Sequence, residues 1–271
     1  MRQLTQGLIA ASLIITSSWA MAAPNATPAA VAPPLAHFTA IQQQELKQYL
    51  ASYIMQNPEI ILASVQRMQA EQQMHQVDMG RTQAIAHAAE LVQDKYSPTV
   101  NKGSVTLIEF FDYQCSVCHM VQPSVEKFIK MNPNVRVVFK SFPIFGPASQ
   151  YAAKASIAAG MQGSAKFMTF HKAMFKSNLM EGKLKDSDVD MIAKKSGLNM
   201  PLLKKDMQLP VVASEIKLTY QLAQELHLVG TPAFVIMPTD ITNKKMLAHT
   251  GFIPGGTQLA GLEQAVKKVT Q

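Results

Sequence analysis

Val105-Thr106-Leu107-Ile108-Glu109-Phe110-Phe111-Asp112-Tyr113-Gln114-Cys115-Ser116-Val117-Cys118-His119 is the stretch on which the reading of this chain turns. Its first part, apolar and β-branched except at Glu109, predicts a strand. From Met120 to Met131 the apolar spacing predicts a helix, with Pro123 expected to kink it. A strand, a short turn with two thiols three apart, then a helix is the setting in which a cysteine pair does redox chemistry. Cys115 and Cys118 are the only cysteines in 271 residues.

A disulfide stabilises most when it closes a long loop, and this pair closes almost none. The pair therefore reads as catalytic rather than structural. Cys115 opens the helix, where backbone N–H groups and the helix dipole favour a thiolate, so it is the expected attacking thiol. Cys118, one turn further in, is the expected resolving thiol. The redox-active disulfide Cys115–Cys118 is then the whole redox centre, with no separate cofactor. A zinc site would need two more ligands at a supporting spacing, which the chain does not offer.

Three further features carry chemistry. His119 makes the motif C-x-x-C-H, also the attachment signature of a c-type haem, and any of seventeen methionines could supply a second axial ligand. The strand before the motif and the βαβ pattern around it argue against that reading. Glu109, six residues before Cys115, is either on an exposed strand face or buried near the thiols. In the second case its pKa is raised and it relays protons, with Lys140 at the end of the next strand as its partner. Thr231-Pro232 is either an ordinary turn into a strand or a cis peptide beside the thiols. A cis bond would leave the Thr231 backbone free to pair with an extended substrate strand, and spacing alone does not choose between the two.

Downstream, Val135–Lys140 reads as a second strand. Pro147–Ser177 reads as two helices divided near Gly160 and Gly163, followed by helices at Asp186–Lys195, Met200–Gln208 and Val211–Leu226. Ala233–Met237 and Lys245–Phe252 read as strands three and four, and Gly256–Val269 as a closing helix. The order β-α-β, helical block, β-β-α is an α/β, thioredoxin-like fold with a helical insertion at about 147–228.

Upstream, residues 1–22 carry a basic start, a short apolar core and a small-x-small end, the pattern of a secretory signal peptide. Residues 23–35, with four prolines and no charge, read as a flexible leader. Residues 36–95 read as an all-helical N-terminal dimerisation segment. Leu46, Tyr49, Leu50, Tyr53 and Ile54 recur at helical spacing, and Asn57-Pro58-Glu59 starts a second helix that runs to about Gln93 with Gly80 its weak point. Met55, Met68, Met74 and Met79 in this region read as packing residues. Helices of this kind cannot bury their apolar stripes alone, and a second copy of the chain is the expected cover. Tyr96–Gly103 is a turn-rich boundary, so the catalytic domain is residues 96–271. The net charge of +7 is carried mostly by scattered lysines, which excludes a nucleic-acid role built on clustered basic residues and aromatics.

Four pieces of the sequence, IEFFDYQCSVCH, VVFKSFP, AKFMTFHKAMF and VGTPAFVI, together resemble the DsbA-type thioredoxin-fold proteins of the bacterial periplasm. The resemblance implies that Cys115 is the nucleophile, Thr231-Pro232 the cis-proline pair and Glu109 the buried acid of the family. Ser116-Val117 stands where the family usually has Pro-His, Thr231 where it has Val, and His119 follows the second cysteine. Thr231 resembles the dimeric isomerase DsbC. Asn57–Ile61 resembles the N-terminal dimerisation helices of DsbA-like proteins of the suppressor-of-copper-sensitivity type. These likenesses imply a periplasmic homodimer that forms and reshuffles disulfides in unfolded or misoxidised secreted proteins, an isomerase with oxidase capability. A membrane redox partner would reoxidise or reduce the pair. A monofunctional oxidase, a c-type electron carrier and a non-catalytic chaperone are the rival readings.

Overall fold

In the computed structural model, which describes residues 38–271, the chain runs α1 (Ala40–Gln56), α2 (Glu59–Ala86), α3 (Ala88–Val92), β1 (Thr99–Val100), β2 (Val105–Phe111), α4 (Ser116–Met131) and β3 (Val135–Ser141). It continues α5 (Pro147–Met161), α6 (Ser164–Lys176), α7 (Asp186–Lys195), α8 (Met200–Asp206), α9 (Pro210–Glu225), β4 (Ala233–Pro238), α10 (Lys244–Leu247), β5 (Gly251–Ile253) and α11 (Leu259–Val269). The signal-peptide and leader expectations at 1–22 and 23–35 lie outside the described residues.

The strands form one sheet in the order β1-β3-β2-β4-β5. β2 lies parallel to β3, and the other pairs are antiparallel. β2 is at the centre and buried along its whole length, which is why its sequence reads as a continuous apolar run rather than an alternation. Because side chains alternate across a strand, the sheet separates two cores. Leu107 and Phe111 of β2, Val137 and Phe139 of β3 and Phe234 and Ile236 of β4 pack on one side with α4, α5, α6 and α11. Ile108 and Phe110, Val138, and Val235 and Met237 face the other side, where Ala84, Ala88, Leu91, Val92, Leu222 and Leu226 close the second core.

The sheet positions the thiol turn. Asp112 through Cys115 follow the C-terminal end of central strand β2, and α4 starts directly after. The open end of β4 brings Thr231 and Pro232 to the same edge, since β2 and β4 are antiparallel and pair from Phe110–Ala233 onward.

Several expectations are corrected. Lys245–Phe252 is not one strand: Asn243 caps the short helix α10 through Met246 N–H, and only Gly251–Ile253 join the sheet. β1 appears within the segment read as a boundary, pairing with β3. α2 runs through Gly80 without a break, because Gly80 is a packing site: a Cβ there would lie 2.3 Å from the ring of Phe252. The helix ends at Ala86 instead, and α3 follows.

The chain divides into two units, Met1–Ala63, described from residue 38, and Ser64–Gln271. In the first unit, α1 opens on a capping box at Thr39 and has no buried residue. Its apolar residues Ile41, Tyr49, Leu50, Tyr53, Ile54 and Met55 are exposed. In the second unit, the end of α2 and α3 belong to the core under the sheet.

Candidate active site

Cys115 is the N-cap of α4, with φ −75° and ψ 118°, so it sits at the mouth of the helix with extended backbone. Both cysteines are free thiols and both are buried, Cys115 at 5 % exposure. The peptide bond Thr231–Pro232 is cis. That bond turns the Thr231 carbonyl toward the thiol, and Cys115 Sγ donates to it at 3.1 Å. The spacing of the sequence left cis and ordinary turn open; the structure has the cis form.

The electrostatics divide the two thiols. Cys115 is lowered to about 6, first by the hydrogen bond from the Cys118 thiol, then by Thr231 and by the backbone N–H groups of Cys118 and Val117, against the cost of burial. The Thr231 hydroxyl has no hydrogen-bond partner among the described residues, so it is free to turn its proton toward a thiolate. Cys118 moves the other way, well above the usual thiol value, through burial and its proximity to Cys115. One thiol is therefore readily ionised near neutral pH while the other holds its proton, an asymmetry that makes Cys115 the better nucleophile and the better leaving group of the two.

Glu109 is completely buried and, among the described residues, neither of its oxygens has a hydrogen-bond partner. Burial pushes its carboxyl up to about 8. Lys140 is not its partner. Glu109 pairs with Phe139 across the sheet and Phe110 pairs with Lys140, so alternation sends the two side chains to opposite faces. Lys140 instead ends in a buried ion cluster, donating to Asp94 and, at 2.9 Å, to Glu215. Asp94 is held well below the usual carboxylate range by Lys140 and Glu215 against its burial, whereas burial raises Glu215. Ser97 completes the cluster through Glu215 at 2.7 Å. It lies on the sheet face away from Glu109 and ties the segment before β1 to β3 and α9.

His119 shows why the haem signature is coincidental here. Its Nε2 donates to the Tyr113 carbonyl at 2.7 Å, and its ring stands edge-on to Phe175 with centroids 5.0 Å apart. The imidazole is thus a brace across the thiol turn, and its other nitrogen is buried. Neither nitrogen is presented to an iron.

The sequence reading missed a set of polar residues that hold this turn. Asp112 accepts from the N–H groups of Gln114, Ile144 and Phe145 and from the Ser149 hydroxyl. The first of these contacts is a turn that Asp two residues ahead of its partner often makes, a signal present in the sequence. Tyr113 meets His171 Nδ1 at 3.0 Å and Ser156 at 3.2 Å. His171 is fully buried among Phe111, Phe139, Phe167 and Phe175, and burial lowers it to about 3, so it is a neutral core histidine. Among the described residues no group of His, Cys, Asp and Glu is arranged to hold a metal ion.

A family model described as a DSBA-like thioredoxin domain matches residues 106–267. The structure of BcfH from Salmonella enterica Typhimurium is 31 % identical, with a TM-score of 0.69 over 84 % of this chain and 96 % of that one. A thioredoxin-like oxidoreductase from Silicibacter pomeroyi is 34 % identical, with a TM-score of 0.57 over 67 % of this chain and 96 % of that one. A linker-deletion mutant of Proteus mirabilis ScsC shares the fold at 21 % identity, with a TM-score of 0.59 over 87 % of this chain and 98 % of that one. Among curated proteins, the Na(+)/H(+) antiporter NhaA 1 of Salinispora arenicola is 27 % identical over 137 residues, half of this chain. The chain spans about 20 % of the length of that relative.

Proposed function

The chain belongs to the DSBA-like thioredoxin-domain family, and from that premise we propose that it is an exported protein disulfide oxidoreductase and isomerase working through Cys115 and Cys118. The observation that carries this reading is the junction of three features: a thiol with its pKa lowered to about 6, a helix N-cap, and the Thr231 carbonyl beside a cis-proline.

In isomerisation the Cys115 thiolate attacks one sulfur of a client disulfide. The Cys115–client bond forms, the client S–S bond breaks, and the other client sulfur leaves as a thiolate free to attack elsewhere. When a client thiolate attacks the mixed disulfide, Cys115 is released unchanged. In oxidation the pair starts as a disulfide. A client thiolate attacks Cys115 Sγ and Cys118 leaves with the electron pair. A second client thiolate then displaces Cys115, so two electrons pass from client to enzyme. A membrane partner that accepts two electrons restores the disulfide. Glu109, whose carboxyl is poised at about 8, is the buried acid that can hand a proton to Cys118 as it leaves and take it back on re-formation. An extended client pairs its backbone with Thr231, the recognition mode of strand addition.

The exposed apolar helix α1 supports a homodimer as the working form. Two sites on one dimer suit reshuffling, which must hold a misoxidised protein through several exchanges. The periplasm is the compartment in which such a pair persists in use. No described helix is long and apolar enough to cross a membrane.

Refolding of scrambled ribonuclease tests the reading. The wild-type chain is expected to recover activity, Cys115→Ser to recover none, and Cys118→Ser to accumulate a trapped mixed disulfide with the client. Equal recovery by Cys115→Ser would leave a chaperone, not a redox enzyme.

A further inference from the structure

Away from the thiols, lysines that stand singly in the sequence are brought together. Pro123, Glu126, Lys127 and Lys130 fall at i, i+3, i+4 and i+7 of α4 and share one face. Ala165, Met168 and Lys172 share a face of α6 in the same way. His119 near the start of α4 meets Phe175 near the end of α6, with ring centroids 5.0 Å apart, while Lys130 and Ala165 at their other ends line one concavity, so the two helices run antiparallel. That concavity is about 740 Å³ and reaches Val100 of the edge strand β1.

The charge on this face is one-sided. Lys127, Lys130 and Lys172 line the concavity, and Lys102 and Lys166 each adjoin a lining residue. Glu126 is the only acid lining it among the described residues, and it is paired with Lys172 at 3.5 Å; the other lysines are exposed. Lys130 complements the negative end of α4, but Lys166 lies in the first turn of α6, where the helix dipole disfavours a cation. Apolar side chains share the face: Pro133 and Met168 line it, and Met131 beside Lys130 is 55 % exposed. Protein–protein interfaces are rich in Arg and aromatic residues and poor in Lys, and among the described residues no Arg, Phe, Tyr or Trp lines this concavity. Flexible ammonium groups around aliphatic side chains suit a layer of anionic headgroups, which attracts lysines without demanding a fixed geometry.

We propose that the α4–α6 face is a docking surface for anionic phospholipid membranes. Lys127 and Lys130 lie roughly 18 and 22 Å along α4 from Cys115, so a membrane held there leaves the thiol turn facing the aqueous side. Docked in this way, the chain is concentrated at the surface from which exported clients emerge unfolded, with its thiols open to them. That use rests on the exported-enzyme reading above; the docking itself does not depend on it.

The test is co-sedimentation of the full chain with vesicles of phosphatidylcholine alone and of phosphatidylcholine mixed with phosphatidylglycerol, at low ionic strength. The wild type is expected on the anionic vesicles only, and to be released by raised salt. Lys127→Ala combined with Lys130→Ala is expected to weaken binding by about twentyfold, near fivefold for each lysine. Lys244→Ala combined with Lys245→Ala removes the same charge from α10, beside the opposite edge strand β5, and is expected to bind within about twofold of the wild type. Alkylation of Cys115 by a charged maleimide is expected to proceed on the vesicles at its rate in solution. Equal binding to the two kinds of vesicle, or equal losses in the two double variants, overturns the proposal. So does a wild type that ignores anionic vesicles, and its retention by polyglutamate in that case would assign the face to acidic polypeptides. Protection of Cys115 on the vesicles would turn the thiols against the membrane and overturn the orientation.

Discussion

Two residues set the energetics of the site. The Thr231 hydroxyl is among the groups that lower Cys115 to about 6, whereas its carbonyl bond serves the thiol form. Thr231→Val keeps the cis-proline neighbour and the carbonyl but loses the hydroxyl, so the midpoint of Cys115 alkylation against pH is expected to rise above that of the wild type. An unmoved midpoint would put the whole shift on Cys118 and the helix. Glu109 acts in the opposite sense. Its carboxyl is raised from 4.5 to about 8 in the fold, so between those values the folded chain holds a proton that the unfolded chain has released. Stability from this group is therefore full at low pH and falls as pH rises. Glu109→Gln removes the dependence, and its stability relative to wild type should grow by about 3 kcal/mol between pH 4.5 and pH 7. Urea denaturation at the two pH values checks this, and parallel curves would mean that Glu109 reaches water. The offset of Glu109 to Cys115 left an exposed and a buried position open, only the family resemblance pointed to the buried one, and its lack of a partner was not legible at all. Nothing in the sequence says that Lys140, one register step away, reaches across to Asp94 and Glu215 on the other face.

At the scale of elements, Gly80 illustrates why a residue's intrinsic preference misleads when packing decides. In an isolated helix it would be a weak point, and replacing it with Ala would gain about 1 kcal/mol. Here the missing side chain lets α2 lie on Phe252 of β5, with only 2.3 Å between that ring and the place a Cβ would take. Gly80→Ala is expected to lower stability by about 1–3 kcal/mol, the usual cost of overpacking, measured as a fall in the denaturant midpoint. A rise would show that Phe252 swings aside freely. The same contrast explains which elements could be read in advance. β2 and β4 are buried apolar runs bounded by turns, and the amphipathic helix α11 shows its period plainly. β1 has two residues and exists only because β3 offers an edge. The Lys245–Phe252 run has strand-like content, yet the Asn243 cap and the pairing of Gly251 with Ile236 divide it between a helical turn and a short strand. Capping and pairing of this kind depend on tertiary neighbours that no local window contains.

At the scale of the molecule, the N-terminal helices divide into a part that serves the fold and a part that does not. Ala84, Ala88, Leu91 and Val92 are in the core beneath the sheet, and Asp94 neutralises Lys140. α1 and its exposed Ile41, Tyr49, Leu50 and Tyr53 contribute no buried residue. A chain starting at Ser64 is therefore expected to fold with an unfolding midpoint close to that of the full chain. A chain starting at Val100 should lose about 5 kcal/mol, from the burial of Leu91 and Val92 at about 1.5–3 kcal/mol each and from a lysine left with one of its two carboxylates. Light scattering separates stability from assembly. The full chain is expected at twice the mass of its monomer and the Ser64 chain at the monomer mass, with oxidation of a dithiol peptide kept and refolding of scrambled ribonuclease lost in the shorter chain. A monomeric full chain would remove the dimer, and equal isomerase activity in both would remove the reason for α1. If the two chains do separate in this way, the choice between oxidising and reshuffling resides in how many thiol turns share a client, since Cys115, Cys118 and Thr231 are the same in both.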